Sequence, residues 1–219
     1  MNNKVALVIG ATGLVGSHLV EQLLNAEYKK VITLTRRTSP HHSDKVINHV
    51  IDFEHLEFYE SLFHANVLFS CLGTTKKMAG SIGKQRRVDV DYQLAAAQLA
   101  AKNGISHYVL VSSSGANPNS SSAYLKMKGE LEERVATLAL KRISILQPSL
   151  LLGAREKEFR LAETIGSYVL PLICRLPRLK KYKPITALQV AKKMINIAAQ
   201  SGPAIEYFKL DELFEKSDK

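Results

Sequence analysis

Three glycines at fixed spacing constrain this chain more than any other feature. The segment Gly10-Ala-Thr-Gly13-Leu-Val-Gly16 follows an apolar run, Val5–Ile9, and precedes apolar positions at helical spacing. Gly10 permits a sharp turn, Gly13 has no side chain to hold off a pyrophosphate, and Gly16 lets a helix approach a sheet. The segment predicts a dinucleotide-binding turn at a helix N-terminus. The alternative is a purely structural turn. The predicted contacts are Gly10, Thr12, Gly13, Leu14, Val15 and Gly16.

Strand-like and helical patterns then alternate along the chain. This alternation predicts right-handed parallel crossovers, and therefore an α/β, doubly wound, Rossmann-like parallel sheet. We expect one domain over all 219 residues, with residues 149–219 contributing a small C-terminal cap. The further predicted strands are Val31–Thr35, Asn48–Asp52, Val67–Leu72, Tyr108–Ser112, Ile143–Gln147 and Tyr207–Leu210. Helices are predicted from Gly13 and over Val88–Lys102, Ser122–Leu140, Phe159–Leu170 and Ala187–Ala199.

Composition limits the partners and the compartment. The net charge of +10 is not gathered into one tract, so we expect no nucleic-acid partner. The sequence has no apolar run of about 18 residues, so we expect no membrane span. Cys71 and Cys174 form neither a disulfide framework nor a metal spacing, which favours a reducing compartment. His41 and His42 are expected at the surface. With no signal-peptide pattern before Val5, we expect a cytoplasmic protein.

The end of the second predicted strand bears on the choice of dinucleotide. An Asp or Glu there would suit the ribose 2′-hydroxyl of NAD, whereas this strand ends in Arg36 and Arg37. Guanidinium groups suit a 2′-phosphate, so the sequence predicts NADP(H). The alternative is two solvated arginines. Asp52 is placed to accept from the adenine amino group, with Phe53 beside the ring, unless Asp52 is a turn-forming residue.

A candidate catalytic pair lies on the next long helix. Tyr124 and Lys128 are one helical turn, about 6 Å, apart on one face. A phenol with a pKa of about 10 is a poor acid at neutral pH, and a nearby ammonium favours its ionised form. The lysine can also hold ribose hydroxyls of the cofactor. Ser113, with Ser112 or Ser114 as alternatives, is predicted to hydrogen-bond the substrate oxygen.

Together these motifs resemble the atypical, short members of the short-chain dehydrogenase/reductase superfamily. The sequence is most similar to the Tat-interacting-protein oxidoreductase-like group and its bacterial relatives. The resemblance is carried by Gly10–Gly16, Cys71-Leu-Gly-Thr-Thr75, Arg87-Val-Asp-Val-Asp-Tyr92, Ser112-Ser-Ser-Gly-Ala116, Tyr124-Leu-Lys-Met-Lys-Gly-Glu130 and Gln147-Pro-Ser-Leu-Leu-Leu-Gly153.

The resemblance implies a Rossmann-like fold that binds NADP(H). It implies that Tyr124 and Lys128 lie at the nicotinamide ribose. Many superfamily members complete a proton relay with an Asn, and the matching position here is Asp89, which puts the relay in doubt. The resemblance also implies Cys71, Leu72 and Gly73 near the adenosine, and Pro148, Leu150 and Leu151 along the nicotinamide.

Two functions follow from these expectations. The first is an NADP(H)-dependent oxidoreductase acting on a small carbonyl or alcohol, with only about 70 residues after Pro148 arguing against a nucleotide-sugar cleft. The second is a redox-sensing protein that passes the NADP(H) state to a protein partner through Leu161–Lys183. Asp89, an acid at the position where many superfamily members have Asn, favours the second function.

Two surfaces leave alternatives open. The segment Leu161–Leu179 fits a lid over the substrate or a membrane-surface segment. We favour the lid because a glycine and two prolines would interrupt a long interfacial helix. The small residues Ala95–Ala97 and Ala100–Ala101 predict close helix packing, either inside the domain or across a homodimer interface. We expect a homodimer, as is common in this superfamily.

Overall fold

The structure, a computed structural model, describes residues 3–152 and 183–214. The strands are β1 (Val5–Ile9), β2 (Lys30–Thr35), β3 (Val46–Val50), β4 (Val67–Ser70), β5 (His107–Val111), β6 (Arg142–Gln147), β7 (Leu151–Leu152), β8 (Ile185–Thr186) and β9 (Ile205–Lys209). The α-helices are α1 (Leu14–Leu24), α2 (Lys76–Ala79), α3 (Ile82–Arg86), α4 (Tyr92–Lys102), α5 (Ala123–Ala136) and α6 (Ala187–Ala199). The 3-10 helices are Phe53–Leu62 and Leu210–Leu213, and a π-helical stretch spans Arg87–Asp91.

Seven of these strands form one parallel sheet in the order β3-β2-β1-β4-β5-β6-β9. The strand order reverses between β1 and β4, which leaves a crevice at the carboxyl ends of those strands. Helices cover both faces of the sheet, so the predicted α/β doubly wound, Rossmann-like fold is confirmed. The short strands β7 and β8 pair separately.

The sheet is buried on both faces, as its continuous apolar strands predict. Leu7 and Ile9 of β1 are fully buried in one core cluster, and Ala6 and Val8 are fully buried in the other. The second cluster includes the apolar stripes of α1 and α6. Each large buried side chain contributes about 1.5–3 kcal/mol to folding.

The third strand begins two residues earlier than the sequence pattern indicates. The side chain of Asn48 donates to the hydroxyls of Thr33 and Thr35 at 2.9 and 2.8 Å, so polar contacts set its register at this edge of the sheet. Asp52, which the pattern placed at the strand's end, instead accepts from the Glu54 amide and caps a 3-10 helix. The predicted strand Asn48–Asp52 is therefore displaced.

The C-terminal part completes the sheet. The predicted helix Ala187–Ala199 is confirmed as α6, and a capping box of Thr186 and Gln189 defines its start. Strand β9 pairs with β6. It begins at Ile205, two residues before the predicted start at Tyr207. The predicted helix Phe159–Leu170 and nearly all of the Leu161–Lys183 segment lie outside the described residues. Across the described ranges, no helix is both long and apolar enough to span a bilayer.

The small residues of α4 pack inside the domain. Ala96, Ala97 and Ala100 are fully buried in the core cluster that also contains Leu94 and Ile105. Of the two alternatives for these small residues, the structure therefore favours close packing inside the domain. The homodimer stays a prediction, and these three residues do not support it.

The structure predicts that Gly129→Ala destabilises the domain. A Cβ at Gly129 would lie 2.3 Å from the Pro118 backbone nitrogen, and a backbone neighbour cannot move aside cheaply. We expect the free energy of unfolding to fall by about 1–3 kcal/mol in urea denaturation. The matched control is Gly83→Ala, whose Cβ would have no neighbour within 4 Å. Equal stability of the two variants would contradict the packing described.

Candidate cofactor and active site

The glycine turn holds three elements together through their backbones. Gly10 has φ of +78°, and a Cβ there would lie 2.5 Å from the carbonyl carbon and oxygen of Cys71. A Cβ at Gly16 would lie 2.1 Å from the Gly10 carbonyl oxygen. The Gly13 amide donates to that same carbonyl at 2.9 Å. Two of the glycines are therefore required by packing alone, at the turn where a dinucleotide motif belongs.

The N-terminus of α1 is not capped by the protein's own side chains. Gly13 makes no side-chain capping hydrogen bond, and the first turn contains no acidic residue. The helix dipole and the first amides there favour an anion. Thr12 is exposed, while Leu14 is half-buried and Val15 is buried. This end of the helix can therefore receive phosphate groups.

Arginines and a histidine border the turn. Arg36 and Arg37 are exposed directly after β2, and the structure gives neither an ion pair within its described ranges. His41 was expected at the surface, and its ring is only partly buried. Its Nε2 atom lies 3.4 Å from the carbonyl oxygen of Ala11, so the side chain rests on the turn. This edge of the crevice is cationic and open.

Asp52 and Phe53, the two residues predicted to contact the adenine, both have partners within the protein. Asp52 is exposed and forms the helix cap, the turn-forming alternative that the sequence left open. Phe53 is 4% exposed, and its ring centroid lies 5.7 Å from that of Tyr92. Phe53 is thus a core side chain. Contacts of Asp52 and Phe53 with an adenine stay predictions.

Residues 71–73 follow β4 and pass beneath the crevice. Burial raises the pKa of the Cys71 thiol to about 12, which Lys128 partly offsets. Such a thiol stays neutral at physiological pH and is a poor nucleophile. Leu72 is half-buried, and a Cβ at Gly73 would lie 3.6 Å from Asp89 Oδ1. Residues 71–73 therefore add no charge to the site and lie next to the buried carboxyl group of Asp89.

Tyr124 and Lys128 lie together as the spacing predicts. The Lys128 Nζ atom is 6.0 Å from the centroid of the Tyr124 ring. Tyr124 is 39% exposed, whereas Lys128 is 3% exposed. The phenol can therefore reach a ligand in the crevice while the ammonium lies behind it.

Lys128 is paired with a buried acid. Its Nζ atom lies 3.3 Å from Oδ1 of Asp89, which is fully buried. Oδ1 has no aligned hydrogen-bond donor in the described part of the chain, and Oδ2 accepts from the Thr74 amide at 3.4 Å. Burial raises the pKa of Asp89, and Lys128 opposes that rise. Asp89 lies in the π-helical stretch, a conformation often found at functional sites.

The three serines after β5 have different surroundings. Ser112 is buried and donates to Glu132, which also accepts from Gln147 Nε2 at 3.0 and 2.9 Å. Ser113 is half-buried and donates only a long hydrogen bond, 3.4 Å, to the Ser114 carbonyl. Ser112 is therefore committed to the interior. Ser113 and Ser114 are the serines left to meet a ligand.

Glu132 is the residue that the sequence pattern misassigned. The charged residues Glu130, Glu132, Glu133 and Arg134 predict a solvated helix face. Glu132 is nevertheless only 6% exposed, and burial raises its pKa while the hydrogen bonds from Ser112 and Gln147 lower it. One signal was available: Glu132 continues the four-residue spacing of Tyr124 and Lys128. This stripe faces the ends of β5 and β6.

The residues after β6 border the same edge. The Pro148 carbonyl accepts from the Ser114 amide at 2.9 Å, which ties this segment to the serine loop. The Leu150 carbonyl accepts from Ile185, and Leu151 belongs to β7. Leu150 is 48% exposed. The contact of Pro148, Leu150 and Leu151 with a nicotinamide stays a prediction.

Comparison with known proteins identifies the family. The model described as the NAD dependent epimerase/dehydratase family matches residues 6–139. Protein FMP52, mitochondrial, of Candida glabrata is 40% identical over 158 residues, 71% of this chain and 67% of that protein. Protein HTATIP2 of Rattus norvegicus is 38% identical over 162 residues, 72% of this chain and 66% of that protein. Protein FMP52-1, mitochondrial, of Scheffersomyces stipitis is 33% identical over 221 residues, 96% of this chain and 97% of that protein.

Solved structures agree on the fold. MoeE5 in complex with UDP-glucuronic acid and NAD has a TM-score of 0.70 and 18% identity, covering 94% of this chain and 75% of that one. WbmH of Bordetella bronchiseptica in complex with NAD+ has a TM-score of 0.71 and 15% identity, covering 94% and 77%. At these identities the likeness establishes the fold alone.

The relatives correct one expectation and confirm another. The expected cytoplasmic location is contradicted, because matching relatives from several yeasts are named as mitochondrial proteins. The resemblance to the Tat-interacting-protein group is confirmed by the match to HTATIP2. The chain therefore belongs to the NAD dependent epimerase/dehydratase family of short-chain dehydrogenase/reductase proteins, and HTATIP2 and the FMP52 proteins are its relatives.

Proposed function

We propose that this protein is an NADP(H)-dependent oxidoreductase that acts on a small carbonyl or alcohol. The observation that carries the proposal is the half-exposed phenol of Tyr124 in front of a buried ammonium, Lys128. This pair lies on the helix after β5, whose carboxyl end borders the crevice below the glycine turn. Family membership and the named NAD complexes of the structural neighbours add support.

The residues present fit a nicotinamide dinucleotide. Side chains at Gly10 or Gly16 would overlap backbone atoms, and the uncapped start of α1 leaves amides for a pyrophosphate. The exposed guanidinium groups of Arg36 and Arg37 suit a 2′-phosphate, which favours the phosphorylated cofactor. Thr12 would bind at the turn, and Lys128 would hold the nicotinamide ribose.

The bound cofactor would supply a hydride donor or acceptor. In reduction, Tyr124 donates its phenolic proton to the substrate oxygen, and Lys128 stabilises the resulting phenolate. Ser113 donates a hydrogen bond to that oxygen and orients it. Hydrogen bonds of Glu132 with Ser112 and Gln147 link the ends of β5 and β6 to α5, the helix that carries Tyr124.

The second candidate is an NADP(H)-binding regulatory protein with little turnover. The buried Asp89–Lys128 pair favours this candidate, since an acid replaces the Asn of the usual relay. A protein partner would then read the bound state, and residues 161–183 are the proposed contact. Turnover decides between the two functions.

The first test is cofactor preference. Replacing Arg36 and Arg37 together with Ala is expected to weaken NADPH binding by about 30-fold or more and NADH binding by less than about threefold, because only NADPH has the 2′-phosphate. Isothermal titration calorimetry measures both affinities. The control, Lys4→Ala with Lys29→Ala, removes two exposed charges just before β1 and β2, at the amino ends of these strands and away from the carboxyl-end crevice. Equal losses for both cofactors would remove the argument for NADP(H).

The second test is turnover. Wild-type protein is assayed with NADPH against aldehydes, ketones, quinones and UDP-sugars, and Tyr124→Phe is expected to lower kcat by at least about 100-fold with unchanged NADPH affinity. Tyr207→Phe is the matched control, because its phenol is 42% exposed on β9. Tight NADPH binding without any turnover would support the regulatory protein. Full activity of Tyr124→Phe would contradict the assigned acid.

A further inference from the structure

Lys128 and Asp89 form a buried pair whose charges cancel. Both side chains are at most 3% exposed, and their charged atoms are 3.3 Å apart. An unpaired buried charge is costly, so each ion needs the other. The net charge next to Tyr124 therefore depends on Asp89 as well as on Lys128.

The other polar groups near the pair do not take the place of Asp89 as the counter-ion of Lys128. Glu132, one turn beyond Lys128, interacts with Lys128 through its charge but accepts its hydrogen bonds from Ser112 and Gln147. Cys71 stays neutral because burial raises the pKa of its thiol. Thr74 and Gln85 face Asp89 with neutral donors. Asp89 is therefore the direct counter-ion of Lys128 in the described part of the chain.

We propose that Asp89 sets the selectivity between oxidised and reduced cofactor by neutralising Lys128. The inference rests on the proposed binding of NADP(H) with its nicotinamide ribose at Lys128. Oxidised and reduced cofactors differ by one positive charge, which lies on the oxidised nicotinamide ring. An unbalanced ammonium would repel that ring, whereas a neutral pair does not. The acid thus lets the protein hold both redox states with similar affinity.

The experiment varies the net charge of the pair and measures binding rather than activity. Calorimetry gives Kd for NADP+ and NADPH with the wild type, Asp89→Asn, Lys128→Met and the double variant. The pair has a net charge of zero in the wild type and in the double variant. In Asp89→Asn the pair carries one positive charge, because Lys128 still has Glu132 nearby. In Lys128→Met the cation that opposes the rise in the pKa of Asp89 is gone, so the buried acid takes up a proton and the pair is neutral. Glu132 and Cys71 are unchanged in all four proteins.

The ratio of Kd for NADP+ to Kd for NADPH is expected to follow that charge. Asp89→Asn raises the ratio about tenfold, whereas Lys128→Met and the double variant, in which the pair is neutral, keep the wild-type ratio. If Asp89→Asn does not fold, Asp89→Ser removes the same charge with a smaller side chain, and the same rise in the ratio is expected. The loss of ribose contacts in both Lys128 variants affects both cofactors and cancels in the ratio.

Asp91→Asn is the matched control. It makes the same chemical change on the same π-helical stretch, but Asp91 is 47% exposed and lies near Arg86. The ratio of Kd for NADP+ to Kd for NADPH in Asp91→Asn should equal that of the wild type. A ratio that is constant across the four proteins, or that Asp91→Asn shifts as much as Asp89→Asn, would overturn the inference. Failure of the wild type to bind either cofactor would instead refute the proposed function.

Discussion

The contact between Gly16 and the carbonyl of Gly10 is the constraint on which the site depends. It brings α1 against the turn after β1, while Gly10 itself lies against the backbone of Cys71 at the end of β4. Strand, helix and neighbouring strand therefore meet without side chains between them. The start of α1 consequently opens at the point where the strand order reverses, between β1 and β4.

Buried charge organises the opposite side of this crevice. One face of α5 carries Lys128 and Glu132, and each is paired inside the protein rather than hydrated. Removing one member of the Lys128–Asp89 pair is expected to cost about 3–5 kcal/mol, because the remaining group loses its partner inside the protein. The network therefore holds the helix at one rotation relative to β5 and β6. Tyr124 is left half-exposed at the end of that stripe.

The sequence predicts features that depend on local spacing and misses those set by distant partners. The glycine turn, the buried strands and the Tyr124–Lys128 pair follow from short periodic patterns. Burial of Glu132 depends on strand ends about 15 and 20 residues away in the chain, so its helix reads as solvated. The start of β3 depends on the hydrogen bonds of Asn48 with β2. The sequence identifies Asp89 as an acid in place of the usual Asn. Its pairing with Lys128, 39 residues along the chain, is visible only in the three-dimensional structure.

A crystal structure with bound NADPH would locate the cofactor relative to these residues. The pyrophosphate is expected at the first amides of α1, the 2′-phosphate on Arg36 or Arg37, and the nicotinamide ribose beside Tyr124 and Lys128. Density for the cofactor at another surface, or crystals that stay empty at saturating NADPH with the turn accessible, would contradict this placement.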